Sequence, residues 1–194
     1  MTHSPTVVLA STSRYRAELL RRLLPSFDQA APGTDEAPLT GEAPADRAAR
    51  LARLKAADVA RRRPGQIVIG SDQVADLAGT VLDKPGTVDA ARRQLAASSG
   101  KEVIFHTAVC VIDAHGEAAV HVDETRVLFR TLPRDDIERY IERERPLDCA
   151  GSFKCEGLGI ALFERIRNDD PSALVGLPLI ATSRLLRAAG LVLP

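Results

Sequence analysis

Short apolar runs of strand length alternate along the chain with segments whose apolar residues recur at helical spacing. Val7 to Ala10 is the first run, and it reads as a buried strand stopped by Ser11-Thr12-Ser13. Leu19, Leu20, Leu23 and Leu24 then share one face of a helix, with Ser13 as its N-cap and Pro25 as its end. Phe27 to Ala31 reads as a further strand, and the Pro-, Gly- and acid-rich stretch Pro32 to Pro44 as a loop. A long Ala/Arg-rich helix is predicted from Ala45 to Arg63, with Leu51, Leu54 and Val59 in its stripe and Pro64-Gly65 as its stop.

Ile67 to Ile69 is a second buried strand, running into Gly70-Ser71-Asp72-Gln73. Val74 to Leu77 and Thr80 to Leu82 flank Ala78-Gly79 as a hairpin would. A helix from Val88 to Ser98 ends at Gly100. Val103 to Ile112 and Ala119 to Phe129 read as long antiparallel strands, and Pro133 opens a helix to Glu144 that turns Ile137, Tyr140 and Ile141 inward. Cys149 to Gly159 is a glycine-punctuated loop, Ile160 to Ile166 a strand, and Asn168 to Pro171 a turn. Pro178 suits the first position of a last helix ending at Gly190. This order mixes βα units with hairpins, so the fold class is α/β: a mixed, twisted sheet flanked by helices.

Composition narrows the function. Aromatics are 4% and Trp is absent, so Ala, Leu, Val and Ile must build the core. The formal net charge is zero, which argues against a nucleic-acid partner but leaves room for a small polyphosphate. Met1 to Thr6 lacks the pattern of a signal peptide, and no apolar run reaches the length of a membrane span, so a cytoplasmic protein without a membrane partner is expected. Cys110, Cys149 and Cys155 fit neither a disulfide framework nor a zinc knuckle. His3, His106, His115 and His121 have no ligand spacing, so neither a histidine metal site nor a Ser-His-Asp triad is expected.

Four constellations carry chemistry. Ser11-Thr12-Ser13-Arg14-Tyr15-Arg16 places hydroxyls and arginines where a strand passes into a helix. That is either a phosphate cradle or an ordinary cap with solvated arginines. Asp72, at the carboxyl end of an apolar strand, is either a base or metal ligand, or a turn-forming Asp. Asp35-Glu36, Lys55 and Asp83-Lys84-Pro85 are scattered charges; Lys55 adjoins an apolar stripe, which favours a cleft for its ammonium. Cys149 to Gly159 is either a structural turn or a ligand loop. In the second case its glycines allow close backbone approach, Phe153 stacks a base, Lys154 meets a phosphate and Glu156 accepts from a purine edge.

Together these segments resemble the Maf family of nucleotide pyrophosphatases. The matching stretches are LASTSRYR at Leu9 to Arg16, DE at Asp35-Glu36, GSDQV at Gly70 to Val74, KP at Lys84-Pro85, CAGSFKCEGLG at Cys149 to Gly159 and LVGLPL at Leu174 to Leu179. They span nearly the whole chain. Gln73 combined with SFKxEG is most similar to the branch acting on 7-methyl-GTP. The alternatives are the branch acting on dTTP and UTP, and a regulator of cell division that binds a nucleotide without turning it over. No phosphate-loop motif of the kinase or NTPase type follows a strand, which removes that rival.

The resemblance implies a single domain over 1–194, of two lobes around a cleft, often a homodimer. It implies Asp72 as the catalytic carboxylate, accepting a proton from the attacking water. Ser11, Ser13, Arg16, Lys55 and Lys84 are implied on the phosphates, and Tyr15, Gln73 and Glu156 at the base. Glu36 and Asp72 are implied on a divalent metal, Mg²⁺ or Mn²⁺. The chain departs from the family pattern in three places: Arg14 replaces a usual Pro, Leu54 stands where an acid often precedes the Lys, and Tyr15 where the 7-methyl-GTP branch commonly has Trp.

Overall fold

A computed structural model describes residues 6–194. Met1 to Pro5, with His3 and nearly all of the stretch read for a signal peptide, lie outside the described residues. The strands are β1 (Val7–Ala10), β2 (Asp28–Gln29), β3 (Ile67–Leu77), β4 (Thr80–Val81), β5 (Glu102–Ile112), β6 (Ala118–Phe129) and β7 (Phe163–Arg167). The helices are α1 (Arg14–Leu20), α2 (Pro44–Arg62), α3 (Val88–Ser98), α4 (Arg134–Glu144) and α5 (Leu179–Ala188). The fold is a mixed α/β one, a seven-stranded sheet flanked by helices, in the order β2-β1-β3-β5-β6-β7 with β4 paired to β3. β1 runs parallel to β2 and β3; the other pairings are antiparallel.

Two expected strands, Ile67 to Ile69 and Val74 to Leu77, are one element of 11 residues. Asp72 therefore stands in the middle of a strand, paired with Ala108, and not at a carboxyl end. It is open to a ligand because the neighbouring strand stops: β1 ends at Ala10, opposite Gly70, and that edge of β3 stays without a strand until β4 joins it at Asp76. Gly70 is required by the helix above it. A Cβ there would come within 2.3 Å of the Ala52 carbonyl oxygen on α2.

Alternation along β3 divides the core in two. One face carries Val68 and Val74 against Ala48, Ala52, Ala56 and Val59 of α2. The other carries Ile67 and Ile69 against α1 and α5, with Leu20, Leu177 and Leu186. A third buried cluster gathers Phe105, Phe129, Leu95 and Tyr140 under α3 and α4.

The other departures are local. β2 covers only two residues of the expected Phe27 to Ala31. β7 begins at Phe163, because Leu158–Leu162 forms a 3-10 turn. Gly159 packs onto the Lys154 carbonyl, where a Cβ would stand at 2.4 Å, and that coil delays pairing with β6. Pro178 is the N-cap of α5 and not its first residue. The hairpin turn at Ala78-Gly79 is as expected, both residues having positive φ.

Candidate active site

Beyond the end of β1 lies a cleft of about 710 Å³. Its lining includes Ser11, Ser13, Tyr15, Arg16, Glu36, Lys55, Asp72, Gln73 and Lys84, nine of the ten residues named from sequence. The tenth, Glu156, lines a smaller pocket of about 110 Å³ with Tyr15, Gln73 and Lys84, which border both spaces.

The floor of the cleft is an ionic cluster. α2 buries Lys55 along its apolar stripe and delivers Nζ to Asp72 Oδ1 at 2.6 Å, with both residues under 8% exposed. The same Nζ lies 3.0 Å from Glu36 Oε1, so one ammonium gathers two carboxylates from distant segments. Glu36 reaches it because α2 pins its loop. Arg50 Nη2 donates to Glu42 Oε2 (2.7 Å) and to the Ala37 carbonyl, and Arg62 donates to the Ala31 carbonyl. Asp58 accepts from the Gly33 N–H at 2.9 Å. The Gly33 bond, then Arg62, hold the Asp58 carboxyl below its ordinary value. These helix charges looked solvated in the sequence, and their role as a loop clamp was not legible there.

The Ser-x-Ser turn is tied to its own backbone. The Ser13 N–H donates to Ser11 Oγ at 3.1 Å, and Ser13 Oγ caps α1 by accepting from the Arg16 N–H at 3.4 Å. Arg16 Nε donates to the Gly176 carbonyl at 2.9 Å, as does Ser71 Oγ from β3. The Leu174 to Leu179 stretch thus fixes α1 to the central strand. Burial pushes the Arg16 guanidinium down from its ordinary value, while Asp72 and Glu36 push it up, so their field reaches it.

Asp72 and Gln73 face opposite sides of the sheet. Gln73 Nε2 donates to Thr107 Oγ1, at 2.9 Å, and to the carbonyls of Ala173 and Leu174. Its amide nitrogen is therefore consumed by the fold, which leaves its oxygen for the pocket. Arg14 stands over the Tyr15 ring at 4.8 Å and donates to its hydroxyl at 2.8 Å, covering one aromatic face.

Much of the Cys149 to Gly159 loop is taken up by internal packing, the first of the two readings left open by the sequence. Phe153 is buried edge-to-face among Phe105, Phe129 and Phe163, and it borders the smaller pocket from within that cluster. Lys154 Nζ donates to the Glu144 carbonyl at 3.1 Å, away from the cleft. The glycines serve internal packing: a Cβ on Gly157 would meet the Glu144 carboxylate at 2.8 Å. Cys149 and Cys155 remain free thiols, both pushed up to about 12, chiefly by burial.

Sequence reasoning missed Arg47. It lines the cleft from α2 on the row Arg47, Leu51, Lys55, and that i, i+4, i+8 spacing was the available signal. A second groove, of about 730 Å³, lies between β6, β7 and α5. It contains none of the ten named residues, and its size alone does not make it the chemical site. It holds Asp123, 6% exposed, whose Oδ1 has no hydrogen-bond partner among the described residues.

The family model for a Maf-like protein matches residues 6–189. The chain is 58% identical over 190 residues to a 7-methyl-GTP pyrophosphatase of Xanthomonas oryzae pv. oryzae (strain MAFF 311018), covering 98% of this chain and all of that one. A protein of the same name from Aromatoleum aromaticum is 57% identical over 97% of each chain. One from Burkholderia thailandensis is 52% identical over 96% of this chain and 88% of its own. Among solved structures, a dITP/XTP pyrophosphatase from Mycobacterium abscessus aligns over 95% of this chain and 94% of its own at 16% identity, with a TM-score of 0.47, a distant likeness.

Proposed function

The chain belongs to the Maf-like family, and from that premise we propose that it hydrolyses 7-methyl-GTP to 7-methyl-GMP and pyrophosphate. The observation that supports this most is the buried Lys55 ammonium holding Asp72 and Glu36 at the floor of a cleft rimmed by Arg16 and Lys84. The names of relatives at 52–58% identity over nearly the whole chain favour the methylated guanine substrate.

In this reading the carboxylate of Asp72 accepts the proton of a water that attacks the α-phosphorus. Lys55 holds that carboxylate in place. The α–β bridging oxygen leaves with the β-phosphorus as pyrophosphate, and charge accumulates on it. Arg16, Lys55 and Lys84 stabilise that charge better than the ground state, which lowers the barrier. Ser11 and Ser13 shape the turn that carries Arg16.

Two carboxylates meet at Lys55, and no group of three metal-ligating side chains occurs among the described residues. That donor set fits a hard divalent ion, Mg²⁺ or Mn²⁺, which takes its other ligands from phosphate and water. Glu36 and Asp72 would hold it, and when bound it would neutralise phosphate charge.

The base enters the smaller pocket. N7 methylation makes guanine cationic, and the free face of Tyr15 offers a cation–π contact of about 0.5–2 kcal/mol. Glu156 accepts from the N1–H and N2–H₂ edge, and its charge favours the cationic base. Gln73 contributes its oxygen. No helix among the described residues is long and apolar enough to cross a membrane. We read the chain as one cytoplasmic domain of two lobes sharing the sheet, assembled as a homodimer, that clears modified nucleotides.

The test is pyrophosphate release from 7-methyl-GTP, GTP, dTTP, UTP, CTP and ITP with Mg²⁺ or Mn²⁺. Turnover of 7-methyl-GTP well above the others is expected. Preference for dTTP and UTP would overturn the branch, and absence of all turnover would favour a nucleotide-binding regulator.

A further inference from the structure

Arg47 is the under-partnered cation of the cleft. Its side chain is 14% exposed, and its Nε is buried without a hydrogen-bond partner among the described residues. Its one ion pair among the described residues joins Nη2 to Asp83 Oδ1 at 3.3 Å, and the Asp83 side chain is 70% exposed. An ion pair with so exposed a partner contributes little, whereas a buried N–H on a charged group is costly to leave unbonded. The guanidinium is therefore held at the cleft with most of its donor capacity unused. Its planar fork matches two oxygens of a phosphate group.

Position says which phosphate. Arg47 lies about 12 Å back along the α2 axis from Lys55. Lys55 marks the Asp72 end of the cleft, and Asp83 adjoins Lys84 at its rim. We propose that Arg47 binds the terminal phosphate of the substrate's polyphosphate tail, giving up Asp83 to do so. The inference rests on reading the cleft as a triphosphate site. The exchange explains why an arginine is kept half-buried against an acid that cannot satisfy it: the Asp83 contact occupies Nη2 while the cleft is free and yields to a stronger anion.

The test is binding of inorganic tripolyphosphate, with Mg²⁺, to the intact chain by titration calorimetry. Arg47→Met keeps an apolar stem and removes the fork, and it is expected to weaken binding roughly 10- to 100-fold. Asp83→Asn removes the competing anion and is expected to tighten binding several-fold. Arg47→Lys, which keeps the charge without the fork, is expected to fall between wild type and Arg47→Met, and it keeps the inference testable should Arg47→Met not fold. Unchanged affinity in both Arg47 variants would overturn the inference. So would weaker binding in Asp83→Asn, which would mark the pair as a structural tie, and so would absence of binding by the wild type. Wild-type binding of tripolyphosphate without turnover of any nucleotide would fell the proposed hydrolase and leave the Arg47 subsite standing.

Discussion

Lys55 Nζ stands 2.6 Å from Asp72 Oδ1 in an ion pair that joins the long helix to the middle of the central strand. Both residues are buried, so each neutralises a charge the other would leave in a poorly solvated place. The pair is at once a structural joint and the floor of the cleft, and its two members are expected to respond differently to substitution.

Asp72→Asn keeps the shape and a hydrogen-bonding oxygen but removes the proton acceptor. Turnover of 7-methyl-GTP is expected to fall by about 10²–10⁴. Circular dichroism should stay close to wild type, and the thermal midpoint should fall by less than in a Lys55 variant, because Glu36 still pairs with the Lys55 ammonium. Near-normal turnover would remove Asp72 from the chemistry.

Lys55→Met leaves Asp72 without its buried partner. The loss is expected to approach the ~3–5 kcal/mol typical of a broken buried pair, reduced by the access of Asp72 to the cleft. Adding Asp72→Asn should restore much of it. Denaturant unfolding of the two single variants and the double variant measures this coupling, and additive losses would show that the pair is not a joint.

Gly70→Ala tests the helix–strand contact directly. Its Cβ would fall 2.3 Å from the Ala52 carbonyl and 2.9 Å from the Ala56 Cβ, so α2 must move. A loss at or above the ~1–3 kcal/mol usual for overpacking is expected, together with lower turnover, because Lys55 rides on the displaced helix. A variant with wild-type stability would mean that the helix yields freely.

Asp123 gives a pH-dependent prediction. Burial, then Asp170 and Asp169, raise its carboxyl from 3.8 to about 6. The folded state therefore holds this proton more tightly than the unfolded state does. The contribution is favourable below the unfolded value and fades as pH rises through about 6, above which the charged group is a net cost. Asp123→Asn should therefore gain on wild type between pH 4 and 6 and hold that gain at higher pH. Thermal midpoints of both proteins across that range check it; a difference independent of pH would contradict it.

Glu156→Ala is expected to lose the preference for 7-methyl-GTP over GTP while retaining most turnover, because Glu156 lines the smaller pocket, to which we assign the base, and not the larger cleft. The ratio of kcat/KM for the two nucleotides reads this out. An unchanged ratio would leave the preference to Tyr15 and Gln73.

The helices and long strands were legible because their apolar spacing is regular, and Lys55 was legible as a cleft residue because it adjoins an apolar stripe. The placement of Asp72 was not. Gly70-Ser71-Asp72-Gln73 looks like a turn locally. It is held extended by pairing with Cys110 to Thr107 and by a helix close enough to exclude a side chain at Gly70. Phe153 was left between two readings for a related reason: a loop phenylalanine reveals nothing of the three rings around it, which come from Phe105, Phe129 and Phe163. Arg47 and the clamp formed by Arg50, Asp58 and Arg62 were hidden among the charges of α2, where only the tertiary partner separates a solvated side chain from a working one.

The most direct test of the central claim is hydrolysis of 7-methyl-GTP in ¹⁸O-labelled water, with the products resolved by mass spectrometry. Attack at the α-phosphorus predicts the label in 7-methyl-GMP and an unlabelled pyrophosphate. Label in pyrophosphate, or release of inorganic phosphate with 7-methyl-GDP, would contradict it.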